Sequence, residues 1–261
     1  MRRWLVLLVC VAAVATIAVS SVAALMSAQA SHASPIGDLT ASISSTTAYN
    51  WAGYAESSGT GSVTKVSATW TQPAVTCPSK GTTLAAFWIG IDGYTSSTVE
   101  QDGTLAQCTH GSASYYSWWE TYPANAVQEF APIHAGDSFS ATVTYSSSTS
   151  KFTMSVTDTT TGTTWTKTSK NSGALEDSAE CIAERPAGAS NASGLYALAD
   201  FGTASFGSCT ATVSGSSGGI GTFSSVYEIT MVSYPSGTRT LASPSTLTGN
   251  SAFKVTWKHA S

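Results

Sequence analysis

Hydrophobic and polar residues alternate with a period of two along most of this chain. Successive side chains of a β-strand point to opposite faces, so this alternation is typical of strands with one buried face. Gly, Ser, Thr and Pro separate the runs, and no run of ten residues has the spacing of an amphipathic helix. The pattern predicts about a dozen strands in an all-β fold, an antiparallel double-sheet β-sandwich of the jelly-roll or concanavalin type. The clearest runs are Val66–Trp70, Phe139–Tyr145, Phe152–Val156, Val226–Val232 and Phe253–Trp257.

The first thirty residues have the pattern of a secretory signal peptide. Arg2 and Arg3 precede an almost entirely apolar stretch over residues 4–25, and Ala28-Gln29-Ala30 has the small residues of a cleavage site. The stretch is also long enough for an uncleaved membrane anchor, which is the alternative. We expect a secreted protein without stable membrane association after cleavage. Its parts are a signal peptide over residues 1–30, a mobile lead-in over residues 31–48 and a single β-sandwich domain over residues 49–261.

The cysteines of an exported protein meet an oxidising environment. Cys10 leaves with the signal peptide, and the four remaining cysteines allow three pairings. We favour Cys77–Cys108 with Cys181–Cys209, because each pair brackets two neighbouring predicted strands. A metal site is the alternative, but the sequence has no CxxC or HxxxH spacing, so we expect no metal and no other cofactor.

Charged side chains make up only 10% of the sequence, against about 25% in an average globular protein. Without Arg2 and Arg3, 9 of the 11 basic residues remain beside 15 acidic ones, a net charge near −6. No basic patch indicates nucleic-acid binding, and nothing marks an oligomer interface, so we expect a monomer. Acid denaturation depends on protonating paired carboxylates and on repulsion among positive charges, so a chain with few of both suits acidic surroundings.

Two carboxylates share one face of a predicted strand in the segment Ala179-Glu-Cys-Ile-Ala-Glu-Arg185. Positions i, i+2 and i+4 of a strand lie on the same face, which places Glu180, Ile182 and Glu184 together. A carboxylate in an apolar sheet surface needs a partner, a proton or a chemical role. This segment is therefore the first candidate for a functional site.

Aromatic and polar side chains also share strand faces in two other segments. Trp88 and Asp92 lie on one face of the first, and Trp118 and Glu120 lie on one face of the second. Gln101 lies in a polar segment between them. An aromatic surface with one carboxylate commonly binds an extended peptide or sugar; the alternative for each residue is an ordinary hydrogen-bonded side chain on a solvated sheet. A serine nucleophile is disfavoured because no GxSxG motif occurs.

Six segments occur in an order that resembles one known family: Asn50–Tyr54, Trp88–Gly93, Gln101, Trp118–Pro123, Ala179–Glu184 and Ala199–Phe206. They resemble the motifs of the glutamic peptidases, or eqolisins, and the resemblance spans residues 49–257. It implies a double-sheet β-sandwich, polypeptide substrates and no cofactor. The residues that it assigns to the site are Gln101 and Glu184 as the catalytic pair, and Trp88, Asp92, Trp118 and Glu120 as residues that bind substrate or support the pair.

A Gln/Glu pair can hydrolyse a peptide bond without a metal or a covalent intermediate. As a carboxylate, Glu184 can take a proton from water and later give it to the leaving nitrogen. The Gln101 amide can donate a hydrogen bond to the developing oxyanion, and its carbonyl can hold the water. The resemblance therefore implies an acid endopeptidase. We expect Arg185, which replaces an acid of the family, to point to the opposite strand face.

Two other functions stay open on the residues alone. A jelly-roll glycoside hydrolase would use Glu120 and Glu184 as its pair of carboxyls, and it would not need Gln101. A non-catalytic carbohydrate-binding module would stack its aromatic side chains on sugars. Replacing Gln101 with alanine separates the two enzymes, and binding without turnover would identify the module.

Overall fold

The computed structural model describes residues 43–261, which contain seventeen β-strands, one short 3-10 turn at Ile220–Thr222 and no α-helix. This confirms the predicted all-β fold. The predicted signal peptide and most of the predicted lead-in lie outside the described residues. The strands are β1 (Ser44–Ala48), β2 (Trp51–Ser57), β3 (Val63–Thr71), β4 (Thr82–Ile91), β5 (Val99–Thr109), β6 (Ser112–Tyr122), β7 (Asn125–Pro132), β8 (Ser138–Ser146), β9 (Lys151–Asp158), β10 (Thr163–Ser169), β11 (Ser178–Glu184), β12 (Ala197–Leu198), β13 (Thr203–Val213), β14 (Ser216–Gly219), β15 (Val226–Val232), β16 (Thr240–Pro244) and β17 (Phe253–Trp257).

The strands form one continuous and mostly antiparallel sheet that folds over into two layers. Hydrogen-bonded neighbours in the first layer run in the order β1, β15, β2, β11, β4, β5, β6, β7. Those in the second run β10, β9, β8, β3, β13, β17. Strand β16 pairs with both β15 and β17, and so it joins the layers. The predicted double-sheet sandwich is confirmed. No helix in residues 43–261 is long and apolar enough to cross a membrane.

Apolar side chains of the first layer lie on both of its faces. In β4, Phe87 and Ile89 point into the main core between the layers, whereas Ala86 and Trp88 belong to a second buried cluster. Because neighbouring residues of a strand point to opposite faces, this second cluster lies on the face turned away from the core. We call that face the outer face of the first layer, and the predicted site residues lie on it.

Both predicted disulfides are present, which confirms the favoured pairing. Cys77 bonds to Cys108 with their Cα atoms 5.3 Å apart, and Cys181 bonds to Cys209 with their Cα atoms 6.4 Å apart. Cys181 lies in β11 and Cys209 in β13, so the second bond links the two layers.

The domain begins earlier than the predicted boundary at residue 49. Ser44–Ala48 form β1, which pairs in parallel with residues 227–231 of β15, and Ala48 is buried. The expectation of a mobile lead-in is therefore wrong for these five residues. Their composition suggested a linker, but Thr46 and Thr47 are β-branched and fit the edge of a sheet.

Candidate active site

Four neighbouring strands bring the predicted catalytic residues to the outer face. Gln101 of β5 lies between Gly90 of β4 and Glu120 of β6 in the strand register. Glu184 is the last residue of β11, which pairs with β4 on its other edge. Trp88 lies on β4 between the two positions and provides the direct contact to Glu184.

Glu184 is completely buried. Its Oε2 accepts a 2.7 Å hydrogen bond from Trp88 Nε1, while Oε1 has no hydrogen-bond donor in the structure. Burial raises the pKa of Glu184 well above its ordinary value, and the neighbouring Glu120 carboxyl adds to the rise. The hydrogen bond from Trp88 and the nearby polar groups of Asn50 and Trp51 oppose this rise. A carboxyl of this kind binds a proton strongly, as a general base must.

Gln101 and Glu120 form the second part of the site. Gln101 Nε2 donates a 2.6 Å hydrogen bond to Glu120 Oε2. Burial raises the pKa of Glu120 to about 7, against the opposing hydrogen bonds from Gln101 and the Val127 backbone. The remaining oxygen of each side chain is buried without a hydrogen-bond donor. Glu120 therefore joins the site, because it bonds to Gln101 and acts electrostatically on Glu184.

The Trp88 side chain fits here because glycines lie beside it. Gly103 lies opposite Trp88 in the register. A Cβ atom at residue 103 would lie 2.3 Å from the carbonyl oxygen of Phe87 and 2.6 Å from the Cβ of Trp88. Neither neighbour is the free end of a flexible side chain, so a larger residue at 103 would displace the strand that carries the indole.

We expect Gly103→Ala to lower the free energy of unfolding by about 3 kcal/mol, in the range of an overpacked core. Urea unfolding measures this. Gly59→Ala is the matched control, since a Cβ atom there meets only Ser62 Oγ at 3.8 Å. Equal stability of the two variants would contradict the role given to Gly103.

Two further tryptophans lie on the outer face, Trp51 and the predicted Trp118. Trp118 of β6 is completely buried in the second cluster. Trp51 of β2 packs edge-to-face on Trp88, with ring centroids 5.0 Å apart. Sequence reasoning gave no role to Trp51 or Asn50, although both lie in the matched opening segment. An asparagine and a tryptophan at the start of an apolar strand were the signal that was available.

Asp92 does not line this face, which corrects the expectation for it. Strand β4 ends at Ile91, and Asp92 has a φ of 69°, so the chain turns there. Its carboxylate accepts hydrogen bonds from the backbone of residues 175–177. The strand ends before this position, so the alternation of faces does not extend to Asp92.

Glu180 shares the strand and the face of Glu184 but has other neighbours. It is completely buried, and burial raises its pKa well above the ordinary value. The carboxyls that add to the rise are those of Asp92, Asp177 and Glu56, at the end of the sheet. Glu180 therefore stands outside the group formed by Gln101, Glu120 and Glu184.

Arg185 has little influence on the site. Its Nε donates a hydrogen bond to the carbonyl oxygen of Tyr196, and it is not among the groups that shift the pKa of Glu184. Within residues 43–261, no group of three or more His, Cys, Asp or Glu residues is arranged to hold a metal ion. The histidines of this part of the chain lie outside the strands: His110, His134 and His259.

A sequence model of the peptidase A4 family matches residues 49–257, nearly the whole of the described domain. The chain belongs to the peptidase A4 family. This confirms the resemblance found in the sequence, and it favours a peptidase over a glycoside hydrolase or a carbohydrate-binding module. The matched range contains every residue of the site.

Members of the family with known sequences or structures are similar to this chain. Aspergillopepsin-2 of Aspergillus niger is 34% identical over 194 residues, which are 65% of this chain and 66% of that protein, just under two thirds of its length. The crystal structure of aspergilloglutamic peptidase from Aspergillus niger is 32% identical with a TM-score of 0.56, and the match covers 67% of this chain and 99% of that one. Scytalido-glutamic peptidase, solved with a peptide-based transition-state analogue, is 24% identical with a TM-score of 0.66 over 80% of this chain and 98% of that one, which shows the shared fold.

Proposed function

We propose that this chain is a secreted endopeptidase that hydrolyses polypeptides in acid, with Gln101 and Glu184 as the catalytic pair. The observation that carries the proposal is that each of the two buried side chains keeps one oxygen free of protein donors on the same face. The apolar start of the chain supports secretion. Peptide substrates are supported by the family, and by a relative crystallised with a peptide-based transition-state analogue.

Glu184 and Gln101 together activate the attacking water molecule. A water molecule held by Glu184 Oε1 and Gln101 Oε1 donates one hydrogen to each oxygen, so a lone pair of the water oxygen points to the substrate. As that oxygen bonds to the carbonyl carbon, its proton passes to the Glu184 carboxylate. The hydrogen bond from Trp88 to Oε2 keeps the other oxygen of Glu184 in place.

The Gln101 amide also stabilises the oxyanion. One of its two N–H groups is bound by Glu120, which fixes the plane of the amide, and the other is available to the substrate oxygen. A donor of this kind contributes about 2.7–4 kcal/mol where it has been measured in an oxyanion hole. Glu184 then gives its proton to the nitrogen, the C–N bond breaks, and the carboxyl and amine products leave.

Glu120 sets the proton balance of the pair. Two neighbouring buried carboxyls do not ionise together easily, so Glu120 and Glu184 titrate as a coupled pair. The reaction needs Glu184 ionised and Glu120 neutral, which is one of the two states with a single proton on the pair. At low pH both carboxyls are protonated, and at high pH both are ionised. The pH profile of kcat/KM therefore falls on both the acid side and the alkaline side.

We expect Glu120→Gln to remove the alkaline limb of kcat/KM or to move it to higher pH. The substitution keeps the neighbour of Glu184 neutral at every pH, and the glutamine oxygen can still accept the hydrogen bond from Gln101. The pH profile with a fluorogenic peptide measures the change. An alkaline limb that stays in place would contradict this role for Glu120.

Gln101→Ala tests the peptidase against the glycoside hydrolase. It should lower kcat/KM on peptides by about 10²–10³-fold, the loss expected for an oxyanion donor. A glycoside hydrolase built on Glu120 and Glu184 would lose little, because it does not use the amide. Wild-type activity on polysaccharide and none on protein would overturn the proposal.

A further inference from the structure

The carboxylate of Asp92 accepts hydrogen bonds from two separate parts of the chain, the segment before β11 and the residue before β5. Asp92 Oδ2 accepts hydrogen bonds from the backbone N–H groups of Leu175 and Glu176 at 2.8 and 3.1 Å, and Oδ1 accepts one from Asp177 at 2.9 Å. The backbone N–H of Asp92 donates to the carbonyl oxygen of Ser178 at 3.0 Å. All these partners lie at the start of β11, the strand that ends in Glu184.

The same carboxylate reaches the start of β5, the strand of Gln101. Thr98, the residue before β5, donates its hydroxyl to Asp92 Oδ2 at 3.3 Å. Glu100 is buried, and burial together with the negative charge of Asp92 raises the pKa of Glu100 to about 10. Glu100 therefore keeps its proton beside Asp92 at neutral pH. Its Oε1 accepts a 2.6 Å hydrogen bond from Asn171 Nδ2, which fixes residues 171–177 to β5.

Residues 171–177 have further backbone bonds on their other side. Gly61 N donates to the carbonyl oxygen of Leu175 at 2.7 Å, and Val63 N donates to that of Glu176 at 2.8 Å. The segment is thus held between the β2–β3 connection and Asp92. Loss of the Asp92 bonds would free the side of the segment that faces β4 and β5.

We propose that Asp92 is a positioning residue for the reaction, which holds together the starts of the strands that carry Gln101 and Glu184, and that the hold is released when Asp177 loses its proton. The first half rests on the proposed function, whereas the second half concerns only the fold. Asp92 touches neither reacting residue. It acts through the register of β5 and β11.

Asp177 supplies the pH dependence because it faces Asp92 in a cluster of acids. Burial and the hydrogen bond and charge of Asp92 raise the pKa of Asp177 to about 6. The titratable groups around the two residues come from the elements packed against them, and no cation is among the groups that shift the pKa of Asp177. They are Glu56 of β2, Glu100 of β5, Glu176 of the same segment and Glu180 of β11. The backbone N–H of Asp177 bonds to Asp92 Oδ1, so an ionised Asp177 carboxylate lies beside the Asp92 carboxylate and repels it.

Amide hydrogen exchange of residues 175–177 tests the release, from pH 4.5 to 7.5 and corrected for intrinsic rates. We expect the protection in the wild-type protein to fall about tenfold or more around pH 6, while amides of β8 and β9 stay protected. Asp177→Asn should keep the segment protected throughout. Glu129→Gln, which removes an exposed carboxyl of β7, should behave like wild type. Constant protection in the wild type, or the same fall in Asp177→Asn, would overturn the release.

Kinetics of Asp92→Asn at pH 4 tests the positioning. The amide cannot accept all three backbone bonds, so we expect kcat to fall about 10–100-fold with KM within about threefold, in a protein with a wild-type near-UV spectrum. Wild-type kcat in the folded variant would overturn the role. If Asp92→Asn does not fold, Thr98→Val is measured in its place. Thr98→Val removes only the hydrogen bond between Asp92 and the start of β5. An unchanged kcat in Thr98→Val would count against the proposal. A folded but inactive wild-type protein would instead contradict the proposed function. The hydrogen-exchange experiment would still test whether residues 175–177 are released from Asp92.

Discussion

Glu184→Gln is expected to abolish peptide cleavage while the protein stays folded. Glutamine fills the same volume and can stay beside Trp88 Nε1, but it can neither take a proton from water nor give one to the leaving nitrogen. Proton transfer by a positioned side chain contributes about 10²–10⁴-fold, and in the proposed mechanism Glu184 serves in both halves of the reaction. We therefore expect kcat to fall by at least about 10³-fold, measured with a fluorogenic peptide at acid pH.

Glu180→Gln is the matched control for this experiment. Glu180 lies on the same strand and the same face as Glu184 and is also completely buried. Its charged neighbours are different, because they are Asp92, Asp177 and Glu56. We expect it to retain activity within about fivefold. The reverse order, with an active Glu184→Gln and an inactive Glu180→Gln, would show that the wrong glutamate of the segment has been assigned.

The protein is expected to be most stable in acid and to lose stability as the pH rises through neutrality. Several buried carboxyls have raised pKa values, about 7 for Glu56 and Glu120, about 6 for Asp177 and about 10 for Glu100. Such a group is protonated in both states below the pKa of the unfolded chain, about 4. Above that pH the unfolded chain releases the proton and the folded chain keeps it, so the free energy of unfolding falls.

The size of the effect follows from the pKa shifts. One pKa unit corresponds to about 1.4 kcal/mol, so Glu100 alone lowers the free energy of unfolding by about 3–4 kcal/mol between pH 4 and pH 7. For Asp177 the loss ends near pH 6, and for Glu56 and Glu120 near pH 7. Since a folded domain is stable by only about 5–15 kcal/mol, these losses are large. Thermal unfolding from pH 3 to pH 8 measures them, and a melting temperature that rises with pH would contradict the assignment.

Asp102 gives the sharpest single test of this pH dependence. It is completely buried on the core side of β5, and burial raises its pKa well above the ordinary value. Asp102→Asn keeps the shape but removes the ionisable group, so we expect the melting temperature to rise by about 5 °C or more at pH 7 and to change little at pH 3.5. Glu129→Gln, at an exposed acid of β7, is the control and should change neither value.

The sequence predicts the fold class because nearly every strand alternates. Phe87 and Ile89 face one way and Trp88 the other, so a single run indicates a strand with two apolar faces. The disulfide pairing was predicted from the same strand pattern, because each pair brackets two neighbouring predicted strands. Strand β1 was missed because Ser44–Ala48 has no large apolar residue, and its pairing depends on β15, far along the chain.

The site is only partly visible in the sequence. Glu184 stands out as a carboxylate in an apolar strand, but Gln101 is identified by the family resemblance, since an amide between two acids has no distinctive pattern. The role of Asp92 could not be predicted, because the strand ends at Ile91 and the alternation of faces does not extend to Asp92. The link from Gln101 through Glu120 to Glu184 requires the register of strands β4, β5, β6 and β11.

Cleavage of an acid-unfolded protein substrate by the purified chain, from pH 2 to pH 7, tests the central claim most directly. Pepstatin and a chelator are present throughout, and Gln101→Ala and Glu184→Gln are run beside the wild type. We expect cleavage that is confined to acid, resists both inhibitors and disappears in both variants. Cleavage that either variant retains in full, or no cleavage by the folded wild type at any pH, would contradict it.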